Sequence, residues 1–318
     1  MACRQGPGSI AGRAVTPEQD RTRSGLWLGL TAYAVWGVLP LYFKAVAHVP
    51  ATEIVAHRII WSLLLLAALA TLWRRWPAIG AAMALPRIAL TLVLTASLIG
   101  INWLVYIYAV VTGHVLEGSL GYYLNPLVNV LLGVFLLKEK LTRAQTGAVL
   151  LAAAGVAFLA VGAGGAIWIS LTLAASFASY GFLRKVTPVD ALEGLSIETI
   201  FLTPIALGWV LWLQGHGEGS FLVTRTTDAL LVLGGVLTAI PLLLFTAAAK
   251  RLPYSVLGFL QYVAPSLQFL LAVAVFGEPL TRAHLVCFGA IWAALCIFLV
   301  EGVRVGRRAA RERAAAAL

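Results

Sequence analysis

The feature that most restricts the fold of this chain is a series of ten unbroken apolar stretches, each about twenty residues long. As a helix, a stretch of that length crosses a hydrocarbon core of about 30 Å. Charged residues make up only 11% of the chain, whereas a typical soluble domain carries roughly a quarter. The alternating pattern of membrane-barrel strands is absent. The sequence therefore predicts an all-α membrane protein with ten transmembrane helices.

The predicted spans follow one another with short connections, which leave no room for an extramembrane domain. They cover residues 25–46, 51–73, 87–110, 115–137, 145–162, 166–184, 191–214, 228–249, 253–276 and 283–302. Residues 1–24 are polar and lack the apolar core of a signal peptide, so we predict a disordered cytoplasmic tail there. Residues 303–318 are rich in arginine and alanine, and we predict a basic cytoplasmic tail.

Basic residues are distributed unevenly between alternate connections. With the N-terminus inside, the inner segments hold nineteen of the 23 Lys and Arg residues and the outer connections hold three. The positive-inside rule then places both termini in the cytoplasm. This distribution accounts for the net charge of +10 through topology, so nucleic acid is not predicted as a partner. The three cysteines lack CxxC spacing, and neither a disulfide framework nor a metal site is predicted.

The sequence repeats itself in its second half. The motif Tyr123–Pro126 returns as Tyr262–Pro265, an offset of 139 residues. At the same offset, Glu139–Ala144 matches Glu278–Ala283. A nearly constant offset over several spans indicates two copies of one structural unit.

Each copy contains five spans, so the second copy must be inverted relative to the first. The copies occupy residues 25–162 and 163–302. Inverted repeats are typical of alternating-access transporters, whose substrate site lies near the membrane midplane between the repeats. The repeat therefore favours a transporter.

Ionisable side chains occur inside the predicted spans, where they are costly and usually face a protein interior or a water-filled path. Glu53 and His57 are four residues apart and can pair on one helical face. Arg58 corresponds to Glu198 in the second repeat. We predict that Arg58 and Glu198 line a central cavity and contact a polar or charged substrate. The alternative is that both residues pair with neighbours and only fix helix packing.

Aromatic and amide side chains in the spans are further candidates for the cavity. They are Trp36, Asn102, Tyr106, Tyr123, Asn125, Gln261 and Tyr262. Packing or interfacial roles are the alternative, because Trp and Tyr are common at membrane interfaces. Pro126 and Pro265 occupy matching positions and predict helix breaks whose free carbonyls face the cavity, with simple packing kinks as the alternative.

Protons are the candidate coupling ion. Glu53, His57 and Glu117 are the side chains that we predict for proton coupling. His57 can instead be a packing residue, and Glu117 can be merely interfacial.

Several catalytic motifs are missing. The chain has no GxxxxGK[ST] loop for ATP, no HExxH metal motif and no GxSxG nucleophile motif. We therefore predict that the protein is not an enzyme and needs no cofactor.

The sequence resembles the RarD branch of the EamA family, in the drug/metabolite transporter superfamily. The residues that carry the resemblance are Tyr33–Lys44, Glu53–Ser62, Asn102–Trp103, Ser119–Leu127, Tyr180–Lys185 and Gln261–Pro265. The likeness extends over residues 25–302. It implies ten helices in two EamA repeats, a bacterial plasma-membrane location and secondary export of small molecules.

Taken together, the repeat and the resemblance predict a secondary active exporter of a drug-like compound or metabolite. Its partners would be a small-molecule substrate, membrane lipid and protons, in a monomer or a homodimer. A flippase for lipids or lipid-linked carriers is the main alternative, and a non-transporting membrane enzyme or assembly factor is a third.

Overall fold

A computed structural model of the chain describes residues 17–137, 141–162, 166–249, 251–252 and 260–316. Within these ranges the secondary structure is helical and no β-strand occurs. All-helical construction is expected in a bilayer, because a helix satisfies its backbone hydrogen bonds within its own segment.

The described residues form eleven α-helices. They are α1 Pro17–Ala45, α2 Ala51–Leu72, α3 Trp76–Met83, α4 Pro86–Val111, α5 Val115–Leu137, α6 Arg143–Gly162, α7 Ile167–Val186, α8 Ala191–Gly215, α9 Arg225–Ala249, α10 Val263–Leu270 and α11 Arg282–Ala316. The helix α10 continues through a π-helical turn, Leu271–Val275.

Nine of the ten predicted spans correspond to long helices of the structure. Of the predicted span 253–276, residues 253–259 lie outside the described residues, and Val263–Val275 is helical. Among the residues that the structure describes, six helices are long and apolar enough to cross a membrane by length and composition, and two further apolar segments are shorter.

The predicted disordered tail 1–24 is wrong for its last eight residues, because α1 begins at Pro17. Proline suits the first turn of a helix. Residues 1–16 lie outside the described residues. At the other end of the chain, α11 extends to Ala316 and includes most of the predicted basic tail.

The short helix α3 was not predicted. Its eight residues are too few to cross a bilayer, and only Ile79 and Ala82 are buried. It follows the end of α2, where the indole N–H of Trp76 donates to Thr71 at 2.8 Å.

Side chains are distributed as a bilayer requires. Leu90, Ile205 and Leu211 are exposed on the outside of the bundle, whereas Arg58 and Glu198 are buried inside it, at 5% and 1% exposure. This arrangement is the reverse of that in a soluble protein, and it follows from an apolar surrounding medium.

The helices pack in a definite set of pairs. Extensive contacts join α1 with α9 and α10, α2 with α8 and α9, α4 with α7 and α8, α5 with α7 and α10, and α6 with α11. The α2–α9 contact is especially close at Gly235, where a Cβ atom would lie 2.6 Å from the carbonyl carbon of Trp61.

The two ends of the bundle are marked by contacts between connections and the first turns of helices. At one end His48 hydrogen-bonds Thr227 at 3.0 Å, and Glu53 accepts the backbone N–H of Ser220 at 2.7 Å. We name this the His48 end. At the opposite end, Arg75 pairs with Glu193 at 3.2 Å, and we name this the Arg75 end.

A carboxylate from the second half of the chain caps α5 at the His48 end. The Glu278 side chain accepts the backbone N–H groups of Val115 and Leu116, both at 2.8 Å. Four N–H groups at a helix N-terminus have no partner within the helix, so this contact satisfies two of them. Burial, and secondarily the nearby Glu117, raise the pKa of the Glu278 carboxyl despite the two backbone hydrogen bonds and Lys44.

This raised pKa predicts how stability depends on pH. The folded chain holds the Glu278 proton more tightly than the unfolded chain, so Glu278 contributes less stability as pH rises above the ordinary value of 4.5. We expect the melting temperature of the wild type minus that of Glu278→Gln to fall between about pH 4 and pH 7. Thermal unfolding in detergent across this range measures it, and a difference that rises with pH contradicts it.

Candidate functional site

Arg58 lies in the interior of the bundle, where four helices meet. Its Nε donates to the hydroxyl of Thr238 on α9 at 2.9 Å. Its guanidinium carbon lies 5.2 Å from the ring centroids of both Phe43 on α1 and Trp103 on α4. The ionisable side chains that act on it are phenols, those of Tyr42, Tyr106 and Tyr122.

These contacts stabilise Arg58 without neutralising its charge. A charged side chain at the centre of a helix costs about 2.5–3.5 kcal/mol on membrane-insertion scales. Each cation–π contact returns about 0.5–2 kcal/mol, and a hydrogen bond to a charged group about 1.5–3 kcal/mol. The side chain can therefore remain ionised inside the bundle, but among the described residues it has no acidic partner within 4.0 Å.

A chain of polar groups extends from this site through α4, α5 and α7. Asn102 donates to the carbonyl of Leu173 at 3.1 Å and to Ser176 at 3.0 Å. Its amide oxygen accepts the hydroxyl of Tyr122 at 3.1 Å, and the Tyr122 ring lies 5.3 Å from that of Tyr106. Tyr106 is 4% exposed, and its hydroxyl makes no hydrogen bond with the described residues.

Glu198 lies closer to the Arg75 end of the bundle. Its carboxylate accepts the hydroxyls of Thr95 on α4 at 2.7 Å and Tyr180 on α7 at 3.2 Å. It also pairs with Nε of Arg184 on α7 at 3.5 Å. The structure therefore does not bring Glu198 together with Arg58: each side chain has its own set of partners.

Glu53 and His57 pair on α2 as their spacing predicts, with 3.8 Å between Oε1 and Nε2. Both are buried, at 0% and 3% exposure. The Glu53 Oε2 atom and both His57 ring nitrogens make no hydrogen bond with the described residues. Phe221, from the connection at the His48 end, covers the imidazole with ring centroids 4.8 Å apart.

Glu117 lies near the start of α5, also at the His48 end. Its carboxylate is 3.6 Å from Nε2 of His284 on α11. The contact joins the two halves of the chain beside the cap made by Glu278. Glu117 is separate from the Glu53–His57 pair, so the three residues predicted for proton coupling form two groups.

The remaining aromatic candidates form a cluster between α5, α10 and α11. The Tyr123 hydroxyl hydrogen-bonds that of Ser266 at 2.6 Å. Its ring stacks on Tyr262 at 6.2 Å and contacts Phe288 edge-on at 5.8 Å. Gln261 precedes Tyr262 in the turn before α10.

Trp36 and Asn125 have different surroundings. The half-buried Trp36 packs against Tyr33 and Phe245, and its carbonyl accepts the side chain of Gln268 at 3.1 Å. Asn125 is 5% exposed, and its amide oxygen makes no hydrogen bond with the described residues.

The two prolines do not behave alike. The break predicted at Pro126 is not seen, because α5 runs continuously from Val115 to Leu137. Pro265 follows a turn and is the third residue of α10. A proline there leaves no helical hydrogen bond unmade, since the first four N–H groups of a helix lack partners within it.

Surface depressions lie at Leu85–Ile88 and between α6 and α11 around Cys296. Neither is lined by Arg58 or Glu198.

Sequence reasoning missed several partners of the candidate residues. Tyr180 and Arg184 are four residues apart on α7 and present a hydroxyl and a guanidinium on one face. This spacing could have predicted a pair that binds a carboxylate. Thr95, Thr238 and Phe43 gave no such signal, because their contacts depend on helices far apart in the sequence.

A bundle of apolar helices that buries ionisable groups is the construction of proteins that move solutes or ions across a bilayer. The EamA-like transporter family matches residues 23–161. The chain is 46% identical to a Vibrio cholerae protein named as an uncharacterized transporter, covering 94% of this chain and 99% of that one. It is 42% identical to the protein RarD of Escherichia coli K12, covering 92% and 100%.

A solved crystal structure has the same fold, with a TM-score of 0.56 at 21% identity, covering 87% of this chain and 97% of that chain. The chain belongs to the RarD branch of the EamA-like transporter family. It is a multi-pass membrane protein of a transporter family, as the sequence predicted.

Proposed function

We propose that the protein is a secondary active transporter that exports a small drug-like compound or metabolite. It works by alternating access around a midplane site between two inverted five-helix repeats. It lies in the bacterial inner membrane with both termini in the cytoplasm, so that the His48 end faces outward.

The packing of the helices supports the inverted repeat. In this arrangement α1, α2, α4, α5 and α6 correspond to α7, α8, α9, α10 and α11. Exchanging corresponding helices converts the α1–α9 contact into α7–α4, the α5–α7 contact into α10–α1, and the α2–α9 contact into α8–α4. All of these contacts are present, and α2–α8, α5–α10 and α6–α11 exchange with themselves. A pseudo-two-fold axis produces such a pattern.

The observation that carries the proposal is the matched position of Arg58 and Glu198. Each is the eighth residue of its helix, in α2 and α8 respectively. Each bonds a threonine hydroxyl from a corresponding helix, Thr238 on α9 and Thr95 on α4. At 1.5 Å per residue, each lies about 10 Å from its own end of the bundle. Opposite charges at related depths are suited to a site that opens to one side at a time.

We assign proton coupling to the Glu53–His57 pair and Glu117. The nitrogens of His57 and one oxygen of Glu53 make no hydrogen bond with the described residues, so the pair can take up a proton without losing an existing contact. Its place at the His48 end would connect it to the outer solution.

Transport in proteoliposomes with an internal pH-sensitive dye tests the proposal. The panel contains amino acids, organic acids and antibiotics, including chloramphenicol. We expect substrate-evoked proton movement in the wild type, reduced at least about ten-fold in Arg58→Gln and in Glu198→Gln, since each loses a charge-assisted interaction. Arg304→Gln is the control, because this arginine is 69% exposed.

Two outcomes contradict the proposal. One is normal transport in both site variants. The other is movement of labelled lipid between leaflets with no solute transport, which identifies a lipid flippase instead.

A further inference from the structure

Among the described residues, Arg58 differs from the buried acids in having no oppositely charged partner within 4.0 Å. Acidic side chains of the described interior have basic neighbours. These pairs are Glu53–His57, Glu117–His284, Glu193–Arg75 and Glu198–Arg184. Arg58 is buried like the acids Glu53 and Glu198, but the ionisable side chains that act on it are three phenols. Within the described part of the chain, Arg58 is therefore a buried positive charge with no acidic side chain within 4.0 Å.

The guanidinium also retains hydrogen-bonding capacity. Only its Nε donates a hydrogen bond among the described residues, to Thr238. Since arginine has five N–H donors, four remain for another acceptor. Tyr106 adds a hydroxyl without a hydrogen bond, and its ring packs on the same Phe43 ring that contacts Arg58, with centroids 6.0 Å apart.

We infer that Arg58 binds the carboxylate of a small organic anion whose body is apolar or aromatic. The inference rests on the proposed transport function and names its substrate class. A planar guanidinium binds a carboxylate through two parallel hydrogen bonds. The rings of Phe43 and Trp103 form apolar walls on which the rest of the ligand packs.

The same geometry disfavours ligands that carry a positive charge. A zwitterionic amino acid needs an acidic group for its ammonium, and no acidic side chain of the described residues lies within 4.0 Å of the Arg58 guanidinium. Glu198 accepts hydrogen bonds from Thr95 and Tyr180 and pairs with Arg184. The site therefore favours a ligand of net negative charge over a zwitterion or a cation.

A matched set of probes tests this inference on the detergent-purified full-length protein. Phenylacetate, phenylacetamide, phenylalanine and phenethylammonium share one ring and differ in charge. We expect phenylacetate to raise the melting temperature by at least about 3 °C at saturating concentration, and the other three to raise it less than about 1 °C. An equal shift with the amide or the ammonium probe, or no shift with phenylacetate, overturns the inference.

Two variants assign the effect to the site. Arg58→Gln should abolish the shift, with Arg304→Gln as the control. Because Arg58→Gln can impair folding, Tyr106→Phe is the second variant: its removed hydroxyl bonds nothing among the described residues, so the unliganded protein should melt at the same temperature or higher. Phenylacetate should bind it about three- to ten-fold more weakly. Unchanged affinity in both variants overturns the inference.

Further experiments distinguish a free acid from a lipid as the ligand. They also distinguish a failure of this inference from a failure of the proposed function. Short-chain phosphatidylglycerol that stabilises the wild type as strongly as phenylacetate, and does so only with Arg58 present, overturns the small-acid assignment. Arg58-dependent transport of a neutral or cationic solute overturns the anion inference but leaves the transporter intact. Binding of phenylacetate without transport of any solute overturns the proposed function alone.

Discussion

Replacing Gly235 with alanine is expected to destabilise the protein by at least about 2 kcal/mol, the cost of overpacking a tight helix contact. The new Cβ would lie 2.5 Å from Cβ of Trp61, 2.6 Å from its carbonyl carbon and 2.7 Å from the backbone nitrogen of Ser62. Two of these atoms belong to the backbone of α2, so a change of side-chain rotamer cannot relieve the contact. Thermal unfolding in detergent measures the loss.

A second glycine provides the matched control. Gly208 on α8 is exposed, and a Cβ there meets nothing within 4 Å. Gly208→Ala should be neutral or stabilising by up to about 1 kcal/mol, because alanine favours helix more than glycine does. Equal melting temperatures for the two variants would show that α2 and α9 are not in close contact.

Removing the charge of Glu198 is expected to destabilise the fold by about 3 kcal/mol, because it leaves the Arg184 cation without its acid. The pair is well buried, with 14% exposure for Arg184 and 1% for Glu198. The double variant Glu198→Gln/Arg184→Met should recover most of this loss, since neither charge remains. The wild type, Glu198→Gln, Arg184→Met and the double variant form a double-mutant cycle. We expect a coupling energy of about 1–3 kcal/mol between the two side chains.

The same double variant separates structure from transport. If Glu198 contacts the substrate pathway, the double variant should melt near the wild-type temperature and yet lose proton-linked transport. Strictly additive effects on stability would refute the pairing. Normal transport in the double variant would remove Glu198 from the proposed site.

Most of the helical framework could be predicted from the sequence, since a stretch of about twenty apolar residues in a bilayer has to form a helix to satisfy its backbone. Errors arose where that constraint is absent. Residues 17–24 are polar yet helical, as an extension of α1. The helix α3 is too short to be recognised by its apolar length.

The local part of the candidate site could also be predicted. The Glu53–His57 pair follows from a spacing of four residues on one helix. The depth of Arg58 and Glu198 follows from counting residues, because the rise of a helix is constant. The predicted break at Pro126 failed, because neighbouring helices and local adjustments in membrane proteins can accommodate a proline within a helix.

The sequence by itself determined which charges lie inside the membrane and how deep they are. Only the tertiary structure decided their partners: Glu198 pairs with Arg184, whereas Arg58 packs between aromatic rings and bonds Thr238, 180 residues away. The physical reason is that depth depends on one helix alone. Partners depend on the rotation and register of several helices, which are set by packing contacts such as the one at Gly235.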